Sequence, residues 1–185
     1  MDAKVKIPSR YLSQLATETK LSKQDNGPAM DSTLYKQMVG SLMYLTATRS
    51  DIMFVVSLIS MFMEPSKDSC WKVRKWILRY VAGTVGYGLW YTHSKDNTLI
   101  GYIDSDFAGS VDDRKSTSGN AFHLGTNLIS WASKKQPIVS ISSAEAKYVA
   151  TNTTTCHAVW LRRLLKDMGH AENDTTTIFV TIALP

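Results

Sequence analysis

"TLIGYIDSDFAG", Thr98 to Gly109, decides the fold. The apolar spacing changes here from the helical intervals upstream to a period of two, so the stretch reads as a β-strand. Asp104 and Asp106 lie two positions apart on it and therefore project from the same face. Side-by-side carboxylates repel unless something relieves them. A Mg²⁺ ion, which prefers carboxylate oxygen, is one solution, and a strand end open to solvent is the other.

Downstream, "GNAFHLG" (Gly119 to Gly125) and "NLISWASKK" (Asn127 to Lys135) read as two more strands, joined by the tight turn Gly125-Thr126-Asn127. Three successive strands with short connections predict an antiparallel meander. "SSAEAKYVATNTTTCHAVWLRRLLKDMG" (Ser142 to Gly169) is a long helix, with Val149, Trp160, Leu164 and Met168 among its apolar positions and Gly169 as its stop. The β-branched run from Thr175 to Ile182 is a fourth strand. Only a crossover reaches it, so it should pair parallel to an earlier strand. The expected fold class is α/β.

Upstream the pattern is helical. Asp31 or Ser32 caps a helix with Leu34, Met38, Leu42 and Leu45 on one face; Ser50 and Asp51 cap a second, apolar almost all round and closed by Pro65. A third runs from about Ser66 to about Val81 with Trp71, Trp76 and Tyr80 on its apolar side and Lys72, Lys75 and Arg79 along another. That basic stripe suits either phosphates or solvent. "GTVGYGLWY" (Gly83 to Tyr91) looks like a turn and a short strand. The polar residues 1–32, punctuated by Pro8, Gly27 and Pro28, read as an arm or linker, which divides the chain into 1–32, a helical region 33–97 and an α/β region 98–185.

Composition is that of an ordinary globular protein: 44% apolar and 20% charged residues in a chain of 185. The net charge of +5 arises entirely in residues 1–98. Cys70 and Cys156 are too few for a disulfide framework or a zinc site and are expected as buried thiols in a reducing compartment. The first residues lack the apolar core of a signal peptide, and the run Ile52 to Met63 falls short of the roughly 18 residues that span a bilayer. An intracellular protein, cytoplasmic or nuclear and without membrane attachment, is expected. His93, His123, His157 and His170 are scattered, with neither metal spacing nor a Ser or Cys partner in view, and carry no catalytic expectation. Trp131 and Trp160 are expected in the core.

Six blocks, in order, carry a resemblance: "LYKQMVGSLMYLTATRSDI", "VRKWILRYVAGTVGYGLWY", "GYIDSDFAGSVDDRKSTSG", "LISWASKKQ", "SSAEAKYVA" and "AVWLRRLL". From about Gln14 to Phe179 the chain resembles copia-type retrotransposon Pol polyproteins, over the end of the reverse transcriptase, its connection helices and the ribonuclease H domain. The resemblance implies an incomplete ribonuclease H-like fold. It also implies an inherited activity, two-metal hydrolysis of the RNA strand of RNA:DNA hybrids, with Mg²⁺ held by an Asp on the first strand, a Glu on the first helix and an Asp on the fourth strand. The polymerase's own catalytic aspartates lie outside the matched region.

Carried over residue by residue, the first Asp is Asp104, with Asp106 a weaker metal ligand. The helix Glu falls on Lys147. Glu145 is the alternative ligand, but Ser142 followed three residues later by Glu145 forms a capping box. A Lys at a two-metal site sets a positive charge against the cations. On the fourth strand the family reads Ile-Phe-Cys-Asp-Asn, where this chain has Ile178-Phe179-Val180-Thr181. Removing one nucleotide from codons for Phe-Cys-Asp-Asn-Ser-Ser-Ala yields Phe-Val-Thr-Ile-Ala-Leu-Pro, the residues from Phe179 to Pro185. A one-nucleotide deletion is therefore expected to have displaced the third aspartate, leaving Mg²⁺ weakly held and the enzyme inactive. The loop from Asp112 to Gly119 would offer Arg114, Lys115 and Ser116 to the hybrid's phosphates and 2′-hydroxyls. Lys72, Lys75 and Arg79 would add phosphate contacts, and the apolar face of residues 52–63 would meet remaining reverse transcriptase domains.

Overall fold

The structure is a computed structural model that describes residues 21–22, 31–63, 68–93, 97–170 and 174–181. Most of the polar arm 1–32 lies outside these residues; of its described positions, Leu21 is buried in an apolar core. The chain divides into two compact units, Met1–Leu89 and Trp90–Pro185.

The first unit is helical. Helix α1 (Ser32–Leu45) starts at Asp31, whose carboxylate accepts the amides of Thr33 and Leu34 and so satisfies two otherwise orphaned donors. Its buried face is Tyr35, Val39 and Leu42, one residue round from the expected Leu34 and Met38 stripe, and Leu34 is 44% exposed. Both stripes have helical spacing. The aromatic one turns inward because Tyr35 buries the largest area and its hydroxyl finds the Ile59 carbonyl at 2.9 Å.

A 3₁₀ turn (Ser50–Ile52) leads into α2 (Met53–Ser60), and α3 (Asp68–Gly83) follows. Ile52, Val55, Val56, Ile59 and Phe62 pack with Tyr35, Val39 and Leu42 of α1 and with Cys70, Val73, Ile77 and Tyr80 of α3. The apolar face of 52–63 is thus covered within the unit, against the expectation that it needs a partner. Trp71 and Trp76 are only half-buried, flanking the inward row of Cys70, Val73, Ile77 and Tyr80.

One polar clasp crosses this core. Arg49, 5% exposed, donates from Nε and Nη2 to the Asp51 carboxylate at 2.8 and 2.7 Å, and from Nη1 and Nη2 to the carbonyl and hydroxyl of Thr84 at 3.1 and 2.7 Å. Tyr80 donates to the same carboxylate at 2.7 Å. Burial works against the charge on Asp51, but the hydrogen bonds from Arg49 and Tyr80 outweigh it and hold its pKa low. The expected strand after Gly83 does not form. Residues 84–86 make a turn tied to Arg49, and 87–93 run without regular structure.

The second unit is a mixed sheet backed by one helix. Strands β1 (Leu99–Ser105), β2 (Thr117–Leu124) and β3 (Asn127–Lys135) form the antiparallel meander; helix α4 (Ser143–Asp167) crosses over; β4 (Thr177–Val180) then pairs parallel to β1, in the order β3-β2-β1-β4. This is the α/β arrangement of a ribonuclease H-like fold. Gly125, at φ 57°, makes the hairpin turn and Gly169, at φ 83°, ends α4, the left-handed positions glycine suits.

Helix α4 packs through Ala146, Ala150, Thr154, Ala158, Leu161 and Leu165. Trp160, expected in the core, is 56% exposed, and Met168, another apolar position of the helix, is 64% exposed. Small residues win this face because they let the helix approach the sheet closely, over Leu99 and Phe122. Gly101 serves the same end, since a Cβ there would stand 2.9 Å from the Phe122 ring. Cys70 is buried as expected, but Cys156 is exposed on α4. On the sheet's other face, register aligns Phe179, Tyr102, Ala121 and Trp131 in one row, with Phe179 stacked on Tyr102 at 5.4 Å. No helix among the described residues is long and apolar enough to cross a membrane.

Candidate functional site

The carboxylates gather at one end of β1. Asp104, opposite Gly119 of β2, is exposed, and its Oδ1 accepts the Ser105 amide at 2.9 Å. Asp106 lies just beyond the strand. Its amide donates to the Thr117 carbonyl at 3.1 Å, and its own carboxylate accepts the Thr117 amide at 2.5 Å. A Cβ on Gly109 would collide with that carboxylate unless the Asp106 side chain moved. Although much of the residue meets solvent, its carboxyl group is tucked into the loop. Burial raises its pKa, the Thr117 amide opposes the rise, and the charge of Asp104 adds to it. The pair does repel, as its spacing predicts.

Position 181 comes to the same place. Val180 pairs with Ile103, and the Thr181 amide donates to the Ile103 carbonyl at 3.0 Å, which sets Thr181 beside Asp104 across the β1–β4 seam.

The first turn of α4 carries the other two positions expected from the sequence, Glu145 and Lys147. Ser142 Oγ accepts the Glu145 amide at 3.1 Å, and Glu145 Oε2 accepts the Ile141 amide at 2.5 Å. The capping arrangement occupies the Glu145 carboxylate. Lys147 is half-buried two residues on, and among the described residues it forms no ion pair with Asp104, Asp106 or Glu145. Gln136, 3% exposed, bolts this turn down: its Nε2 donates to Ser118 Oγ at 2.9 Å and to the Ala146 carbonyl at 2.8 Å, while its Oε1 accepts the Ser140 hydroxyl at 3.1 Å. Sequence reasoning passed over Gln136, since a polar residue after two lysines at a strand end reads as loop.

The loop between β1 and β2 is braced from within. Ser116 is buried and its Oγ accepts the Ala108 amide at 3.0 Å, so its hydroxyl is committed to the loop. Arg114 is exposed, in a left-handed conformation at φ 54°. Lys135 bonds Asp113 at 2.7 Å and Ser110 at 3.0 Å. Burial disfavours the Asp113 carboxylate, yet hydrogen bonds from Lys135, Ser110 and Lys115 outweigh it and set its pKa at about 2. Lys72, Lys75 and Arg79 are exposed along α3, in the other unit.

Two sequence expectations fail here. His157 has a serine partner after all: its Nε2 lies 3.2 Å from Ser130 Oγ, a contact between β3 and α4 that spacing alone cannot reveal. Trp160 is exposed on α4, and Trp131 is half-buried on the open face of the sheet.

The donor set is thin for Mg²⁺. Among the described residues no three His, Cys, Asp or Glu side chains gather where they could hold a metal ion. Asp104 and Asp106 supply two carboxylates, one already tied to the Thr117 amide, and β4 supplies none. These residues do not fit a two-cation site.

No family model and no solved structure matches the chain. Curated proteins do. The retrovirus-related Pol polyprotein from transposon TNT 1-94 of Nicotiana tabacum is 41% identical over 162 residues, 84% of this chain and 12% of that protein. The retrovirus-related Pol polyprotein from transposon RE2 of Arabidopsis thaliana is 39% identical over 155 residues, 84% of this chain and 11% of that protein. The secreted RxLR effector protein 161 of Plasmopara viticola is 41% identical over 133 residues, 71% of this chain and 94% of that protein. The match to the two transposon polyproteins thus spans only 11–12% of their length.

Proposed function

This chain belongs to the retrovirus-related Pol polyproteins of copia-type transposons, and on that premise we propose that its second unit is a catalytically silent relic of the domain that hydrolyses RNA in RNA:DNA hybrids. One juxtaposition carries the reading. Thr181, at the place of the family's fourth-strand aspartate, lies beside Asp104, while the helix position of the family's glutamate is Lys147. Two of three expected carboxylates are replaced, one by a hydroxyl and one by a cation. An ammonium where a ligand carboxylate is needed opposes the charge of a divalent ion instead of binding it, so the cations that would activate water are not retained.

Incubating the full chain with a labelled RNA:DNA hybrid in Mg²⁺ or Mn²⁺ should give no cleavage above a protein-free control. Metal-dependent nicking that disappears in Asp104→Asn would overturn the reading.

A second reading, binding without cleavage, rests on Lys72, Lys75 and Arg79, exposed at helical spacing on α3. Hybrid affinity should then fall with salt, by roughly 0.7–0.9 in log–log slope for each phosphate neutralised, and Lys75→Glu with Arg79→Glu should flatten that slope by about two contacts. Absence of binding at low salt would leave the chain without this role.

A further inference from the structure

Helix α4 meets the sheet through an imidazole. His157 lies between Phe122 of β2, with ring centroids 5.2 Å apart and planes at 46°, and Trp160 of its own helix, at 5.6 Å and 62°. Its Nε2 faces Ser130 Oγ of β3. Along α4 its neighbours toward the sheet are Thr154, Ala158 and Leu161, all buried.

We infer that His157 is an acid-sensitive latch: as a neutral imidazole it holds the second half of α4 on β2 and β3, and as an imidazolium it loosens that half while the first turn stays bolted by Gln136.

Among the described residues no carboxylate pairs with a positive charge at that seam. On β2 the other titratable group, His123, belongs to the opposite face, where its ring meets Tyr102 at 5.6 Å. On β3 the charged residues are Lys134 and Lys135 at the far end, and Lys135 is engaged with Asp113. On α4, Glu145 is occupied by the cap, Lys147 lies near that end, and Arg162 turns to the Asp174 carbonyl and the Thr176 hydroxyl. Arg163, Lys166 and Asp167 lie beyond, and none forms an ion pair with His157 among the described residues. Strand β4 carries no charged side chain. Serine satisfies the ring nitrogen in either protonation state, so the hydrogen bond does not decide the matter. Aromatic neighbours favour a cation modestly. Lost hydration works against it, and burial pushes the His157 pKa below its ordinary value.

The sign follows from linkage. The unfolded chain takes up the proton near pH 6.5, whereas the folded chain resists it until lower pH. The latch therefore contributes fully above about pH 6.5 and is lost as pH falls from there through the folded-state value.

Two measurements on the full chain test the latch. Histidine NMR, assigned with the variants, should place the His157 midpoint below about 6.5, each unit of displacement making opening about tenfold easier. Amide exchange read by mass spectrometry at pH 7.5 and 5.5, corrected for intrinsic rates, should show protection over residues 154–165 falling at the lower pH, with residues 146–150 unchanged. His157→Phe, which keeps a neutral ring between Phe122 and Trp160, should abolish that fall, and His157→Gln should do the same if it folds. A His157 midpoint at or above about 6.5, or a fall in protection that persists in His157→Phe, would overturn the proposal.

Discussion

Arg74→Met is expected to raise the unfolding midpoint of the helical unit by on the order of 10 °C. Arg74 is 1% exposed, and its Nε and Nη1 have no hydrogen-bond partner among the described residues. Its guanidinium lies over the Trp71 ring and 5.5 Å from the centre of the Tyr35 ring, so stacking returns part of the lost hydration. Stacking does not satisfy N–H donors, and an uncompensated buried charge costs several kcal/mol. Burial lowers the Arg74 pKa, while Tyr35 acts the other way. Methionine keeps the length and the ring contacts without the charge. A net gain of about 2 kcal/mol, at about 4–8 °C per kcal/mol for a unit of this size, gives the stated shift. Calorimetry of the native and variant chains measures it directly; a lower midpoint in the variant would mean that the guanidinium has a partner worth more than its burial costs.

The second large effect is expected from restoring the site. In Lys147→Glu with Thr181→Asp, two carboxylates join Asp104 and Asp106 at the positions expected for the family's ligands, with no cation to relieve them, so the variant should melt below the native chain when metal is chelated. Adding Mg²⁺ should reverse the order. Metal at about ten times its dissociation constant adds about 1.4 kcal/mol, whereas the native chain should barely respond. Each single variant should respond less than the pair, because neighbouring ligands act jointly. A double variant as indifferent to Mg²⁺ as the native chain would refute the placement of positions 147 and 181 in the site. Opposite shifts without and with metal also separate site formation from general destabilisation.

Much of the second unit was legible because its signals were local. The period of two around Asp104, the turn at Gly125 and the stop at Gly169 each follow from one or two residues, and the parallel β4 follows from the crossover rule. Which face α4 buries was not legible. Trp160, Leu164 and Met168 offer more apolar area than Ala146, Ala150 and Ala158, but close approach to the sheet rewards small side chains, a property of the pair of surfaces. The same holds for Arg74, which sits among Lys72, Lys75 and Arg79 and reads as part of a solvated stripe. Only the buried set Cys70, Val73 and Ile77 shows that position 74 turns inward.

In the candidate site, Asp104 and the cap at Ser142 and Glu145 were readable from spacing. Gln136 and the Ser130–His157 contact were not, because each joins residues of different elements through side-chain packing. Thr181 is intermediate: the family resemblance leads one to expect an aspartate there, and the parallel register supplied its neighbour.

That register also orders events in time. The meander closes through short hairpin connections, and α4 then docks on strands already made. Strand β4 must return to β1 across a loop of about 75 residues, the largest entropy of closure in the unit. During synthesis β1 therefore emerges early and keeps one ladder edge vacant until β4 has left the ribosome. Until then Leu99 to Ser105 present unpaired amides and carbonyls along that edge, a template for any strand that passes.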